Sequence, residues 1–346
     1  MTGAADAGLP VWAALLAFVV AAAAAYGAIL LLRPILLRFA LAHANARSLH
    51  TQPTPQGGGI AVVGALLAVV VAGFAALGPQ GGIAPLQIAA VIAATLLLAV
   101  TGAADDVRGV SPAPKLAVQV IAVAAVIYAL PDHVRLVPML PLWGDRVLLL
   151  LAGIWFVNLV NFMDGMDWMT VAEVVPVAAG LALAGALGAL PPLATLAAIA
   201  LAGAMLGFAP FNRPVASLFL GDSGSVPVGL ILAWLLLLLA AQGHSAAAVL
   251  LPLYYLADAT ITLGRRLARG EKIWQAHRTH FYQRATEHGW LVRDIVGHVF
   301  VVNIGLVALA TATVLYPTMP VTIAALVLGT GLVSWLLLRF ASRRTG

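Results

Sequence analysis

Apolar runs of about 20 residues recur along the whole chain, each closed by a short polar, glycine or proline break. Eleven of them are predicted as membrane-spanning helices, at about 10–32, 60–77, 84–103, 115–130, 147–163, 169–187, 192–208, 227–241, 247–264, 296–315 and 320–340. The shorter runs imply tilt or local thinning of the bilayer. Helices are expected because lipid offers no partner to backbone N–H and C=O groups, and the alternating pattern of a barrel strand is absent. The expected fold is an all-α, polytopic integral membrane protein, with residues 1–346 as one transmembrane domain.

Composition strengthens this picture. Of the 346 residues 62% are hydrophobic and only 9% charged, against about 25% charged in a soluble domain. The absence of cysteine excludes disulfides, thiolate metal sites and a cysteine nucleophile. The net charge of +5 reads as membrane orientation rather than nucleic-acid binding. No Lys or Arg precedes the first run, Val11 to Leu32, and that run exceeds a signal's apolar region. It is expected to be a retained span with its N-terminus outside. The loops at 33–59, 104–114, 164–168, 209–226 and 265–295 and the C-terminal tail then face the cytoplasm. Counting Lys115 with its adjacent loop and Arg339 with the tail, these segments hold 16 of the 18 Lys and Arg; only Arg135 and Arg146 fall elsewhere.

The unusual polar residues fall on that same face. TGAADDVRG carries Asp105 and Asp106, NLVNFMDGMD carries Asn158, Asn161, Asp164 and Asp167, and FLGDSGS carries Asp222. RSLHTQPTPQGGG carries Arg47, His50, Thr54 and three glycines, and HRTHFYQR carries His277, Arg278, His280 and Arg284. Each motif has a plain structural reading. Asp105 and Asp106 suit a helix cap or turn, and Asn158, Asn161 and Asp164 suit interhelical hydrogen bonds. Asp222 suits a turn. The glycines suit a helix break, or a backbone that approaches a phosphate. His277, His280 and Arg284 share a face if their segment is helical, and a cationic cradle for phosphate suits them better than zinc. Five such segments on one face, with ionisable groups at membrane depth, point to function. Carboxylates and an amide oxygen suit Mg²⁺ or Mn²⁺, and a basic loop above them suits a diphosphate. The set fits phosphoryl transfer from a soluble nucleotide donor to a lipid acceptor.

In this order, PTPxGGG, DD, NxxNxxDGxD, LGDxGS and the final His/Arg motif resemble the polyprenyl-phosphate N-acetylhexosamine-1-phosphate transferases of glycosyl transferase family 4, from Arg47 to Arg284. The resemblance implies a UDP-N-acetylhexosamine donor, an undecaprenyl phosphate acceptor and release of UMP. It implies an Mg²⁺ cofactor, replaceable by Mn²⁺, with Asp222 as direct ligand and Asn161 close to metal or nucleotide. Asp164 and Asp167 would line the nucleotide and metal site, and Asp105 and Asp106 would lie near the acceptor phosphate. Asn158, Thr54, His277, Arg278, His280 and Arg284 would bind substrate. Two departures argue against the related peptidoglycan translocase and for the branch that starts O-antigen-like polysaccharides. Gly109 stands where the translocase has a lysine three residues after its aspartate pair, so Lys115 is the nearest lysine. The last motif also lacks the adjacent histidines of the common-antigen enzymes. The implied location is a bacterial inner membrane with the active site cytoplasmic, and a homodimer is compatible with such a bundle.

Direct attack by the lipid phosphate on the sugar-bearing phosphorus is the simpler route, since a phosphate monoester is largely dianionic at neutral pH. A covalent aspartyl-phosphate remains the alternative. A secondary transporter would place its polar groups near the midplane rather than at span ends, and a catalytically inactive scaffold would not need the full acidic set. The DGxxAR core of CDP-alcohol phosphotransferases is missing.

Overall fold

The computed structural model describes residues 9–42, 53–272 and 277–343; Arg47 and His50 lie outside them. The described chain is almost entirely helical. Its helices are α1 (Val11–Phe39), α2 (Gly59–Leu77), α3 (Pro85–Arg108), α4 (Pro112–Tyr128), α5 (Leu142–Met163), α6 (Met169–Ala186) and α7 (Pro192–Phe208). They continue with α8 (Asp222–Ala241), α9 (Ser245–Leu250), α10 (Leu253–Ala268), α11 (Phe281–Glu287), α12 (Val292–Leu315) and α13 (Met319–Ala341). Two short strands, β1 (Leu41–Ala42) and β2 (Thr54–Pro55), pair antiparallel. Proline near the first position opens α3, α4, α7 and α13, where its missing N–H costs no helical bond.

Among the described residues, nine helices are long and apolar enough to cross a membrane. All eleven apolar runs lie in helices, but two differ from a full span. Helix α4 is apolar but only 17 residues long. The run at 247–264 is divided at Pro252 into α9 and α10, because proline cannot continue the backbone ladder. Helix α10 also buries Asp258, Thr262 and Arg266 beside its tyrosines, so it is not apolar all round.

The centre of the bundle is α6, α7 and α8, whose apolar windows are 67%, 83% and 78% buried, against 22% for α1 and 28% for α5 and α13. Lipid gives no hydrophobic drive between helices, so close approach depends on small residues. Ala17, Ala21 and Ala25 recur every fourth residue on the buried side of α1. A Cβ at Gly203 or Gly207 of α7 would strike the α1 carbonyls of Phe18 and Ala22. The same device fixes the first turn of α8. A Cβ at Gly59 of α2 would meet the backbone of Gly224, and one at Gly102 of α3 would meet the backbone of Asp222. Two helices thus close on α8 where its polar residues begin.

Candidate active site

The site is built around the N-terminus of α8. Gly221 precedes it with φ +75°, and its missing Cβ leaves room for the Asp106 carboxylate. Asp106 Oδ1 accepts from the backbone N–H of Asp222 at 2.9 Å, and Oδ2 from that of Ser223 at 3.2 Å. Helix α3 thereby caps α8, satisfying two N–H groups that no helical carbonyl can reach and placing negative charge at the positive end of the helix. Asp106 is 8% exposed, so its first task is structural.

Asp105 turns the other way. Its Oδ1 accepts from the Val110 N–H at 2.6 Å and its Oδ2 from Lys115 Nζ at 2.9 Å. The same ammonium lies 2.5 Å from Asp222 Oδ2. Lys115 therefore bridges two carboxylates from different helices, and all three side chains keep about a fifth of their surface exposed. Asn161, near the end of α5, donates from Nδ2 to Asp222 Oδ1 at 2.8 Å and to Ser225 Oγ at 2.9 Å. Its nitrogen makes both bonds, so its oxygen is the end offered to a cation.

Asp164 follows α5 and accepts a short hydrogen bond from the Thr170 hydroxyl. Burial pushes its carboxyl up to about 7, against that hydrogen bond and with help from the charges of Asp222, Asp106 and Asp167. Asp167 accepts from the Ala216 N–H at 3.0 Å. Beside it the Trp168 N–H and indole donate to Asn212 Oδ1 at 2.8 Å and to the Ala209 carbonyl at 2.7 Å. Asp167 and Trp168 thus fasten the loop that leads into FLGDSGS. Asn158 donates to Gln119 of α4 at 2.7 Å, which matches the interhelical reading of that residue.

Thr54 is buried in β2 opposite Ala42. The glycines after it are not presented to a ligand: the Gly58 and Gly59 N–H groups donate to the carbonyls of Phe219 at 3.0 Å and Leu220 at 2.8 Å. PTPQGGG therefore clamps the approach to α8.

The His/Arg motif is not helical where a shared face was expected. Helix α11 begins only at Phe281, so His277 and His280 precede it and Arg284 lies exposed within it. The two imidazoles stack instead, with centroids 4.9 Å apart. His280 Nδ1 lies 3.1 Å from Asp258 Oδ1, and Asp258 also accepts from the backbone N–H groups of Phe281 at 3.1 Å and Tyr282 at 3.3 Å. Asp258, fully buried, thus caps α11 and orients His280. Arg278 keeps a buried Nε without a hydrogen bond. Tyr282 reaches the Phe162 carbonyl at 3.4 Å, and a Cβ at Gly165 would strike its hydroxyl. That contact seats the motif on NFMDGMD.

The structure thus joins Asp105, Asp106, Asn161, Asp164 and Asp222 into one cluster with Lys115 and sets Asp258 beneath the His/Arg motif; the motifs marked neither Lys115 nor Asp258 as site residues. Lys115 was signalled only as the nearest lysine to the aspartate pair. Asp258, on a helix broken from its run, carried no local signal. Among the described residues no three His, Asp or Glu side chains converge as a metal cage. One or two carboxylates with an amide oxygen, completed by water and phosphate, is a donor set that fits Mg²⁺.

Residues 88–240 match the family model described as Glycosyl transferase family 4. The chain is 29% identical over 245 residues to a decaprenyl-phosphate N-acetylglucosaminephosphotransferase of Mycolicibacterium smegmatis, covering 65% of this chain and 60% of that protein. It is 28% identical to the protein of that name in Mycobacterium leprae, over 80% of this chain and 77% of the relative. It is 24% identical to a probable undecaprenyl-phosphate N-acetylglucosaminyl 1-phosphate transferase of Bacillus subtilis, over 83% of each chain.

Proposed function

We propose, from the match of residues 88–240 to glycosyl transferase family 4, that the chain transfers N-acetylhexosamine-1-phosphate from a UDP-sugar to a polyprenyl phosphate, undecaprenyl phosphate above all. The products are the lipid-diphosphate sugar and UMP. The names of the relatives favour N-acetylglucosamine as the sugar. The reaction would start a lipid-linked surface polysaccharide of the O-antigen kind. The basic loops support a site on the cytoplasmic face of a bacterial inner membrane.

One observation carries this reading: Lys115 and Asn161 converge from separate helices on Asp222 at the end of an apolar bundle. A cation-ready carboxylate, an amide oxygen and a movable ammonium are what a diphosphate requires, and lipid lies beside them. Asp222 and the Asn161 oxygen would hold Mg²⁺, which supplies charge neutralisation to the donor diphosphate. Lys115 is the chain's own cation for the same phosphates. An acceptor phosphate oxygen attacks the phosphorus that bears the sugar; the bond from that phosphorus to the bridging oxygen breaks, and UMP departs with that oxygen. Asp105, beside Lys115, orients the acceptor and keeps Lys115 in place. Asp164 lies among Asp222, Asp106 and Asp167 and lines the donor side. His280, oriented by Asp258, and Arg278, with its unused buried Nε, are the donors offered to the diphosphate or sugar.

The test is UMP release, followed by mass spectrometry, from purified protein given undecaprenyl phosphate, Mg²⁺ and a panel of UDP-N-acetylhexosamines. UMP that requires both lipid acceptor and metal, with one preferred sugar, is expected. Folded, UDP-binding protein that releases none with any donor would overturn the reading.

A further inference from the structure

Glu173 stands in the second turn of α6 and belongs to none of the motifs above. It is 1% exposed and faces Asn303 of α12, which is 0% exposed. Asn303 Nδ2 donates to Glu173 Oε2 at 2.7 Å and to the Ala172 carbonyl at 3.0 Å, so both amide hydrogens are used. The two remaining oxygens, Glu173 Oε1 and Asn303 Oδ1, are buried and neither receives a hydrogen bond.

An ionised Glu173 would leave Asn303 Oδ1 a buried acceptor with no donor, and Oε1 with none but the Tyr255 backbone, a costly arrangement. The groups that act on Glu173 are Asn303 and the Tyr255 backbone, with no cation among them, and an unpaired charge inside a bundle is dearer still. One proton on Oε1 removes the whole difficulty. The acid then donates to the amide oxygen while the amide nitrogen donates back, closing a ring of two hydrogen bonds.

The pair lies directly behind the site. Asn303 holds the carbonyl of Ala172 in the opening turns of α6, and Thr170 of that segment donates to Asp164. We propose that Glu173 is a neutral acid whose ring with Asn303 pins the start of α6 to α12 and, through Thr170, positions Asp164. Both are positioning residues, since neither touches the reacting groups. The protonation rests on the hydrogen-bond inventory alone; the positioning role rests on the transferase reading.

The two parts are tested separately. Infrared difference spectra of the wild type against Glu173→Gln at neutral pH should show the carbonyl band of a protonated carboxyl in the wild type, lost in the variant. A wild type without that band overturns the proposal, whatever the protein catalyses. In the UMP assay Glu173→Gln should keep turnover within roughly threefold, because a glutamine amide donates to Asn303 Oδ1 and accepts from Nδ2 as the acid does. Glu173→Ala and Asn303→Leu should lower kcat by about tenfold or more while the donor KM changes little, as expected for a displaced side chain. A Glu173→Gln variant as inactive as Glu173→Ala would show that an ionisable carboxylate is needed, and would overturn the neutral ring.

Discussion

Helix α5 carries a charged cluster at each end, about 24 Å apart for the 16 residues from Asp145 to Asn161. The two clusters use similar residues to opposite ends. At the start of the helix, fully buried Asp145 accepts from the N–H groups of Leu136 at 3.0 Å and Val137 at 2.7 Å. Arg146 donates to the carbonyls of Leu130, Pro131 and Val134 at 3.0–3.3 Å, and Arg135 binds the Leu140 carbonyl. These charges are spent chiefly on the backbone of one loop and hold its shape, with ion pairs of 3.6 Å from Arg135 to Asp145 and 3.8 Å from Arg146 to Asp132. At the other end, among the described residues, Lys115 pairs with the carboxylates of Asp105 and Asp222, and the Asp222 side chain also accepts from Asn161. Under the proposed function those bonds would give way to phosphate and a cation. At Asp145 the charge holds backbone in place, whereas the Lys115–Asp222 pair joins side chains of separate helices.

The contrast can be broken most directly at Asp222. Asp222→Ala should lower UMP release by about 10³-fold or more and abolish its metal dependence, with the melting temperature in detergent little changed. Normal Mg²⁺-dependent turnover in that variant would sink the assignment. Lys115→Ala should cost about 10²-fold in kcat/KM, and because the carboxylates lose a partner they should bind Mn²⁺ more readily, read by electron paramagnetic resonance titration. Asp145→Ala should do the reverse, leaving turnover per folded molecule unchanged while destabilising the protein by about 1–3 kcal/mol in thermal unfolding. Lost turnover with intact stability there would erase the distinction. The smallest effect belongs to Asp106, which straddles the two classes. Asp106→Asn keeps an acceptor for the α8 cap, so it should be more stable than Asp106→Ala by about 1 kcal/mol, while UDP binding, measured by calorimetry, persists in both.

What was legible in the sequence follows the range of the forces involved. Hydropathy acts locally, so the apolar runs and the polar residues closing them were readable one by one; the short α4 and the run broken at Pro252 are where the structure differs. Motifs placed Asp222, Asn161 and the aspartate pair on one face. They said nothing of pairing, because Lys115 reaches Asp222 across 107 positions. For the same reason Asp258 looked like one polar residue on a helix until His280 and the start of α11 were seen to rest on it. The glycine run was ambiguous for a different cause: lost side chains let a backbone approach a phosphate or another helix equally well, and packing shows that Gly59 faces Gly224. Asn158 was ambiguous between glue and ligand, and Gln119 gives it the partner of glue.

The cap that Asp106 places on α8 also orders events during synthesis. Its two partners lie 116 and 117 positions downstream, so the ribosome finishes α3 long before those N–H groups exist. A nascent chain holding α3, α4 and α5 has its aspartate pair and asparagines but no Asp222, and its Asp106 has nothing to cap. The polar cluster around Asp222 is therefore complete only once α8 has been made and packed against α3.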